Sequence, residues 1–266
     1  MPHAKQGLVP DLDKLHRHLT RRRAALGWLA SLGGSAWAAT AAPERAGACR
    51  VIPDETAGPF PANGSGRRGV PAPNALALGG IVRSDVRSSF AGAAGVAQGV
   101  PMALTLQLVN TAASCAPLPG HLVYLWQCDR EGRYSMYSPG VEAENYLRGV
   151  QLADAEGRVS FTSVFPGCYP GRMPHLHFEV YRAPAQPGAA ITAAQRIKTS
   201  QLAFAAEDCA AIYRAAAGYG SSVQALQRTS FARDFVFSDG VEDQLAVLGG
   251  NPQSGLSARL VVGLSG

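Results

Sequence analysis

His175 and His177 are separated by one residue in the stretch "PHLHFEV". On a strand, side chains at i and i+2 leave the same face, so two imidazoles at this spacing can converge on one point while Leu176, Phe178 and Val180 turn toward a core. A converging pair suits a metal ion, but it names neither the metal nor the remaining ligands. Six residues before His175 stands Tyr169 in "FPGCYPGRMPHLHFEV", where Gly167, Pro170 and Gly171 force a tight loop able to fold the phenol back beside the histidines. Tyr134 lies further upstream in "WQCDREGRYSMY", past the end of a strand and a Glu-Gly turn. Any one of the eight tyrosines is more often an ordinary core or surface residue, so the combination carries the weight.

Rigid elements must aim these side chains. "MALTLQLVN" alternates Leu104, Leu106 and Leu108 with Thr105 and Gln107, the period of a half-buried strand. "HLVYLWQCD" follows the turn-like "APLPG", and "GRVSFTSVF" and "PHLHFEVYR" are further strand candidates bounded by "DAEG" and "PGCYPGR". "ARLVVGL" reads as a closing strand. Short strands between Gly and Pro turns predict an all-β fold, an antiparallel β-sandwich with long loops. The Ala-rich "AAEDCAAIYRAAA" is the one short helix expected. Residues 43–101, rich in Gly, Pro and Ala, read as an irregular N-terminal arm, and residues 102–266 as the sandwich domain. No repeat recurs at a fixed period and there is no heptad seam.

The net charge of +5 is concentrated at the start of the chain. Lys5, Lys14, Arg17, Arg21, Arg22 and Arg23 face only Asp11 and Asp13 within the first 40 residues, which leaves 18 basic against 17 acidic residues beyond. A body so balanced offers no phosphate-neutralising excess, and no nucleic-acid partner is expected. Arg21 to Arg23 precede the apolar "AALGWLASLGGSAWAA", which ends in small residues before Pro43. A basic region, a modest apolar segment and an A-x-A-like end make residues 1–42 a twin-arginine-type export signal, too short and too rich in Gly and Ala for a stable membrane span. The expected location is periplasmic or extracellular. Five cysteines (Cys49, Cys115, Cys128, Cys168, Cys209) then meet an oxidising compartment, and the odd number leaves at least one unpaired. Cys49 with Cys115 is the preferred bridge, each lying in a Pro-flanked loop region, although sequence does not fix connectivity. No C-x-x-C spacing occurs, which argues against a zinc or redox motif of that kind.

From about Cys49 to Leu264 the chain resembles the intradiol ring-cleavage dioxygenases, the group containing catechol and protocatechuate dioxygenases, and most of all their exported single-domain branch. "DETAGPF", "VRSDV", "YLWQCDREGRYSMY", "YLRGVQLADAEGRVSFTSVFPGCYPGR", "PHLHFEV" and "TSQLAF" carry the resemblance, in the family's order. It implies iron ligands at Tyr134, Tyr169, His175 and His177, with Tyr169 and His177 axial. Two phenolates and two imidazoles form a hard, electron-rich set that favours non-haem Fe(III), and the cation would deprotonate the phenols. The implied partners are a small aromatic diol and O2, and the implied product is a muconate-type diacid. Tyr169 would leave the metal and take a substrate proton. Arg172, three residues before His175, would stabilise carbanion-like charge on the ring. Gln201 matches a glutamine that hydrogen-bonds near the axial ligands. Cys168 stands where this branch often has a bulky aromatic, which could alter the pocket wall or place a thiol near the metal, and Leu176 replaces a common isoleucine. Tyr137, Tyr146 and Phe60 are candidates for the substrate cavity or for ordinary packing.

Two other functions fit parts of the sequence. A non-catalytic transthyretin-like β-sandwich binding module explains the strands and the signal but not the four ordered ligand types. A metal-assisted hydrolase explains His175 and His177 but needs a carboxylate or a third histidine, and of His3, His16, His18 and His121 three lie in the signal segment. The catechol itself and the oligomeric state are left open by the sequence.

Overall fold

The alternation at Leu104, Leu106 and Leu108 becomes strand β1 (Pro101–Asn110), whose buried and open residues alternate as the sequence predicts. The chain is described here by a computed structural model covering residues 50–66, 72–182 and 192–265; the expected signal segment and Cys49 lie outside those residues. After β1 come β2 (Ala116–Pro117), β3 (Leu122–Trp126), β4 (Arg148–Leu152), β5 (Arg158–Val164), β6 (His175–Tyr181) and β7 (Arg196–Ala203). Helices α1 (Ala206–Ala215) and α2 (Gly220–Leu226) precede the closing strands β8 (Val247–Asn251) and β9 (Gly255–Leu264).

Two sheets result. The first runs β2-β1-β9-β8 with β5 also on β1, and the second runs β4-β3-β6-β7. Leu104, Leu106, Phe161, Leu260 and Val262 of the first sheet meet Val123, Leu125, Leu176, Phe178 and Val180 of the second in one buried core. Burying each such side chain contributes about 1.5–3 kcal/mol. Leu176, Phe178 and Val180 thus turn inward as their spacing from the histidines requires.

The two sheets differ on their outer faces. β1 and β9 alternate, with one face toward solvent, whereas every residue of β3 and β6 is buried. The outer face of β3 carries Leu122, Tyr124 and Trp126, which pack with Ala62, Ala75 and Ile81 of the segment before β1. Among its described residues that segment has no regular strand, yet it is tied down: Glu55 N donates to Thr199 O at 2.8 Å, and Tyr124 Oη to Pro61 O at 2.7 Å. A covered outer face is what allows a dry site on β6.

Besides adding strands β4 and β7, which the sequence did not single out, the structure departs from the sequence expectations in two respects. The sandwich is not wholly antiparallel, since β1 and β9 pair in parallel from Met102↔Leu256 to Asn110↔Leu264. Two strands so far apart in sequence need no hairpin between them, so nothing local forces the antiparallel sense. There are also two helices where one was expected. The sequence "GSSVQAL" of α2 is short and weakly helical, but Ser222 Oγ donates to Arg130 O and accepts from Cys168 N, so tertiary contacts hold it. Among the described residues no helix is long and apolar enough to cross a membrane.

Candidate metal centre

His175 and His177 open β6 on its outer face. His177 lies across from Trp126 of β3 on one side and Gln201 of β7 on the other. The two tyrosines arrive on loops. Asp129, just past β3, accepts from the Glu131 and Arg133 backbone amides at 3.0 and 2.9 Å and closes the turn that launches Tyr134. Gly132 in this turn has φ +84°, a conformation that favours glycine, and a Cβ there would crowd Tyr169 Cβ at 3.2 Å. The Tyr169 loop is fastened to the same turn, with Gly167 N donating to Asp129 O at 3.0 Å. Arg148 braces the Tyr134 loop from β4, its Nη2 donating to Ser135 O at 2.8 Å.

These elements bring four donor atoms face to face. His175 Nε2 lies 3.1 Å from His177 Nε2, 3.1 Å from Tyr169 Oη and 3.5 Å from Tyr134 Oη. The two phenol oxygens are 3.3 Å apart. His175 Nδ1 is 2.6 Å from the Met173 carbonyl, to which it must donate, and this tautomer turns the Nε2 lone pair into the cluster. One lone pair cannot accept from every neighbour crowded around it. A cation taking four lone pairs uses them all, and donors about 3 to 3.5 Å apart suit bonds of about 2 Å to a first-row metal. Among the described residues no three of His, Cys, Asp and Glu gather into a metal site, so any cation here depends on the tyrosines.

The electrostatics agree with a metal and disagree with free charges. Burial, then the Arg172 guanidinium, pulls the His175 imidazole down to about 3, and burial with His175 beside it holds His177 well below its usual range. Both imidazoles are therefore neutral, with lone pairs free to bind a cation. Burial pushes the Tyr169 phenol up to about 12 and Tyr134 well above its ordinary value, so only a bound cation would ionise them. His177 Nδ1 has no partner within hydrogen-bond geometry, although the Thr56 backbone lies near enough to favour its protonated form.

Arg172 and Gln201 stand beside the cluster. Arg172 Nη1 is 3.4 Å from His175 Nε2, its Nη2 donates to Gln201 Oε1 at 2.6 Å, and Gln201 Nε2 donates to Thr56 O at 2.8 Å. Phe60 packs on Tyr134 with centroids 4.7 Å apart and so flanks the donors, and Tyr137 packs on Phe60 at 5.3 Å. Tyr146 instead lies in the core and donates to Asp129 at 2.9 Å. Cys168 is also core: its thiol donates to Arg172 O at 3.3 Å, and burial raises it to about 12, which keeps it protonated. An open cavity of about 580 Å³ lined by Leu78, Met136, Glu142 and Glu144 contains none of the four donors.

Several neighbours escaped the sequence. Trp126 stacks on His177, Gly58 abuts its Cε1, and Asp234 binds Arg172. Only Asp234 left a trace, as a single carboxylate in the apolar run "FARDFVF".

A family model described as Dioxygenase matches residues 82–216. The intradiol ring-cleavage dioxygenase from Tetranychus urticae is similar over 82% of this chain and 95% of its own, at 24% identity and a TM-score of 0.60. The dioxygenase domain of a dioxygenase carbohydrate-binding protein fusion from Streptomyces sp. SirexAA-E is similar over 81% and 99%, at 22% identity and a TM-score of 0.48. Catechol 1,2-dioxygenase from Pseudomonas arvilla C-1 is similar over 98% of this chain and 72% of its own, at 20% identity and a TM-score of 0.47.

Proposed function

Because this chain belongs to the intradiol ring-cleavage dioxygenases, we propose that it holds Fe(III) on Tyr134, Tyr169, His175 and His177 and uses O2 to open a catechol-type ring to a muconate-type diacid. The observation that carries the proposal is the convergence of two phenol oxygens and two imidazole nitrogens at 3.1–3.5 Å. Bound there, a ferric ion supplies Lewis acidity, drawing electron density from a catecholate so that O2 reacts with the organic ring.

The protein's own groups divide the remaining work. Tyr134, His175 and His177 are at most 3% exposed, while Tyr169 is partly open, so substrate meets the site on the Tyr169 side. Tyr169, ionised by the cation it would hold, would be the phenolate that accepts a proton from the substrate diol. Arg172 presents a fixed cation beside His175, where negative charge building on the ring is stabilised. Phe60, Trp126 and Phe237 surround the donors with aromatic carbon and exclude water.

The test is oxygen uptake by iron-loaded protein against a panel of catechols, with the visible spectrum recorded. Wild type is expected to be red to brown from tyrosinate-to-iron charge transfer and to consume O2 with ring opening. Tyr169→Phe should lose turnover and shift the band. Full turnover in Tyr169→Phe would refute the ligand set, and a colourless iron-loaded wild type that consumes no O2 would favour the binding-module alternative.

Export is part of the same proposal. It is supported by Arg21 to Arg23 ahead of an apolar segment, and by the disulfide at Cys115, a bond favoured in oxidising compartments. Fractionation of wild type and an Arg21→Lys, Arg22→Lys, Arg23→Lys variant checks it: the variant should stay in the cytoplasm, and unchanged export of it would rule out the twin-arginine route.

A further inference from the structure

The guanidinium of Arg172 is aimed from behind. Its Nε donates to both carboxylate oxygens of Asp234, at 2.9 and 3.0 Å, and its Nη2 donates to Gln201, which leaves Nη1 directed at His175. A planar fork held at two nitrogens cannot turn its third. Asp234 also reaches the main chain. Its Oδ2 accepts from Met173 N at 2.6 Å, and the carbonyl of that same Met173 receives His175 Nδ1. Its Oδ1 accepts from Val236 N at 2.9 Å, so the carboxylate is itself fixed.

Simple neutralisation of a buried cation is the competing explanation, since Arg172 and Asp234 are both buried. A charge partner needs only proximity. Asp234 instead spans two parts of one centre, the Arg172 head group and the backbone that orients His175. It does so from the position that caps a 3-10 turn, Phe231–Arg233, beyond the 82–216 segment matched by the family.

We infer that Asp234 is a positioning residue for ring cleavage, holding Arg172 Nη1 toward the reacting centre and acting through Arg172 without touching the substrate. The inference rests on the function proposed above.

A double-mutant cycle tests it in iron-loaded protein with the catechol that wild type cleaves best. Asp234→Asn is expected to lower kcat by about tenfold to a hundredfold with a smaller change in KM. Arg172→Met should lose a similar factor, and the double variant should be no slower than the slower single, because Asn keeps an oxygen to accept from Met173 N and no guanidinium remains to be positioned. Losses that multiply would overturn the inference. Asp234→Glu keeps the charge and displaces it by one methylene; kcat should fall as it does for Asn, and wild-type kcat would show that neutralisation alone matters. In metal-free protein, the Arg172 Nε–H resonance should be protected from exchange in wild type and exposed in Asp234→Asn, while the backbone amide spectrum persists. An equally protected resonance in the variant would likewise overturn the role. Wild type without catechol turnover counts against the proposed function, whereas wild-type turnover with unaffected Asp234 variants counts against this inference alone.

Discussion

The indole of Trp126 lies parallel to the imidazole of His177, with ring centroids 5.0 Å apart and planes within 4°. The stacking follows from sheet register, since the two residues are opposite one another on β3 and β6. Trp126 therefore helps to fix the plane of a proposed ligand whose Nδ1 has only the nearby Thr56 backbone beside it. Trp126→Leu should weaken iron binding by about tenfold to a hundredfold, the loss typical when a ligand's support is removed, and Trp126→Phe should retain most of it. Competition with a chelator measures this; equal affinity in the Leu variant would show that the stack is packing only.

The same pair shows how far the sequence could be read. That His175 and His177 share a face follows from strand period alone, and the convergence of Tyr134 and Tyr169 followed from motif order. The stacking partner did not, because it depends on which residue of β3 faces His177, and inter-strand register is set by packing across the whole sheet. The role of Asp234 was hidden for a related reason: it is 57 positions beyond His177 and is joined to the site through Arg172 and the Met173 backbone amide. Strands β4 and β7 were overlooked because "RGVQL" and "RIKTSQLA" mix polar and apolar residues. They are buried by the covering arm and by pairing with β3 and β6, not by a periodic apolar face of their own.

Acid should destabilise the metal-free protein. His175 titrates at about 3 in the folded chain, against an ordinary 6.5, and His177 is also depressed. The unfolded chain therefore binds more protons in this window, and stability falls as pH drops from 6.5 toward 3. Denaturant midpoints of metal-free wild type should decline across that range, and less steeply in His175→Gln. Parallel profiles for the two proteins would show that His175 is not held neutral by burial.

Iron uptake should release protons. Burial keeps Tyr134 and Tyr169 as phenols in the metal-free protein, and a ferric ion must displace both protons to bind phenolates. Apparent affinity should therefore rise with pH. Calorimetry in buffers of different ionisation enthalpy is expected to count about two protons per iron at neutral pH, and about one for Tyr169→Phe. Equal counts for the two proteins would contradict Tyr169 as a phenolate ligand.

Arg148 poses a question of which effect wins. It is fully buried, and its hydrogen bonds go to neutral oxygens: Ser135 Oγ at 3.2 Å, Ser135 O at 2.8 Å, Pro61 O at 3.1 Å and Tyr124 Oη at 3.3 Å. Removing a buried cation relieves a desolvation penalty of several kcal/mol, yet it strands acceptors at roughly 1–3 kcal/mol each. Arg148→Met keeps the volume, so the two effects nearly offset and stability should change by less than about 2 kcal/mol. Arg148→Ala adds a cavity and should lose about 3 kcal/mol or more. Function divides the variants differently, because Arg148 joins Pro61 of the covering segment to the Ser135 backbone next to Tyr134. Both variants should bind iron more weakly and show a shifted charge-transfer band, even where melting is near wild type. A Met variant with wild-type affinity and an unshifted band would show that the Tyr134 loop holds its place without the arginine.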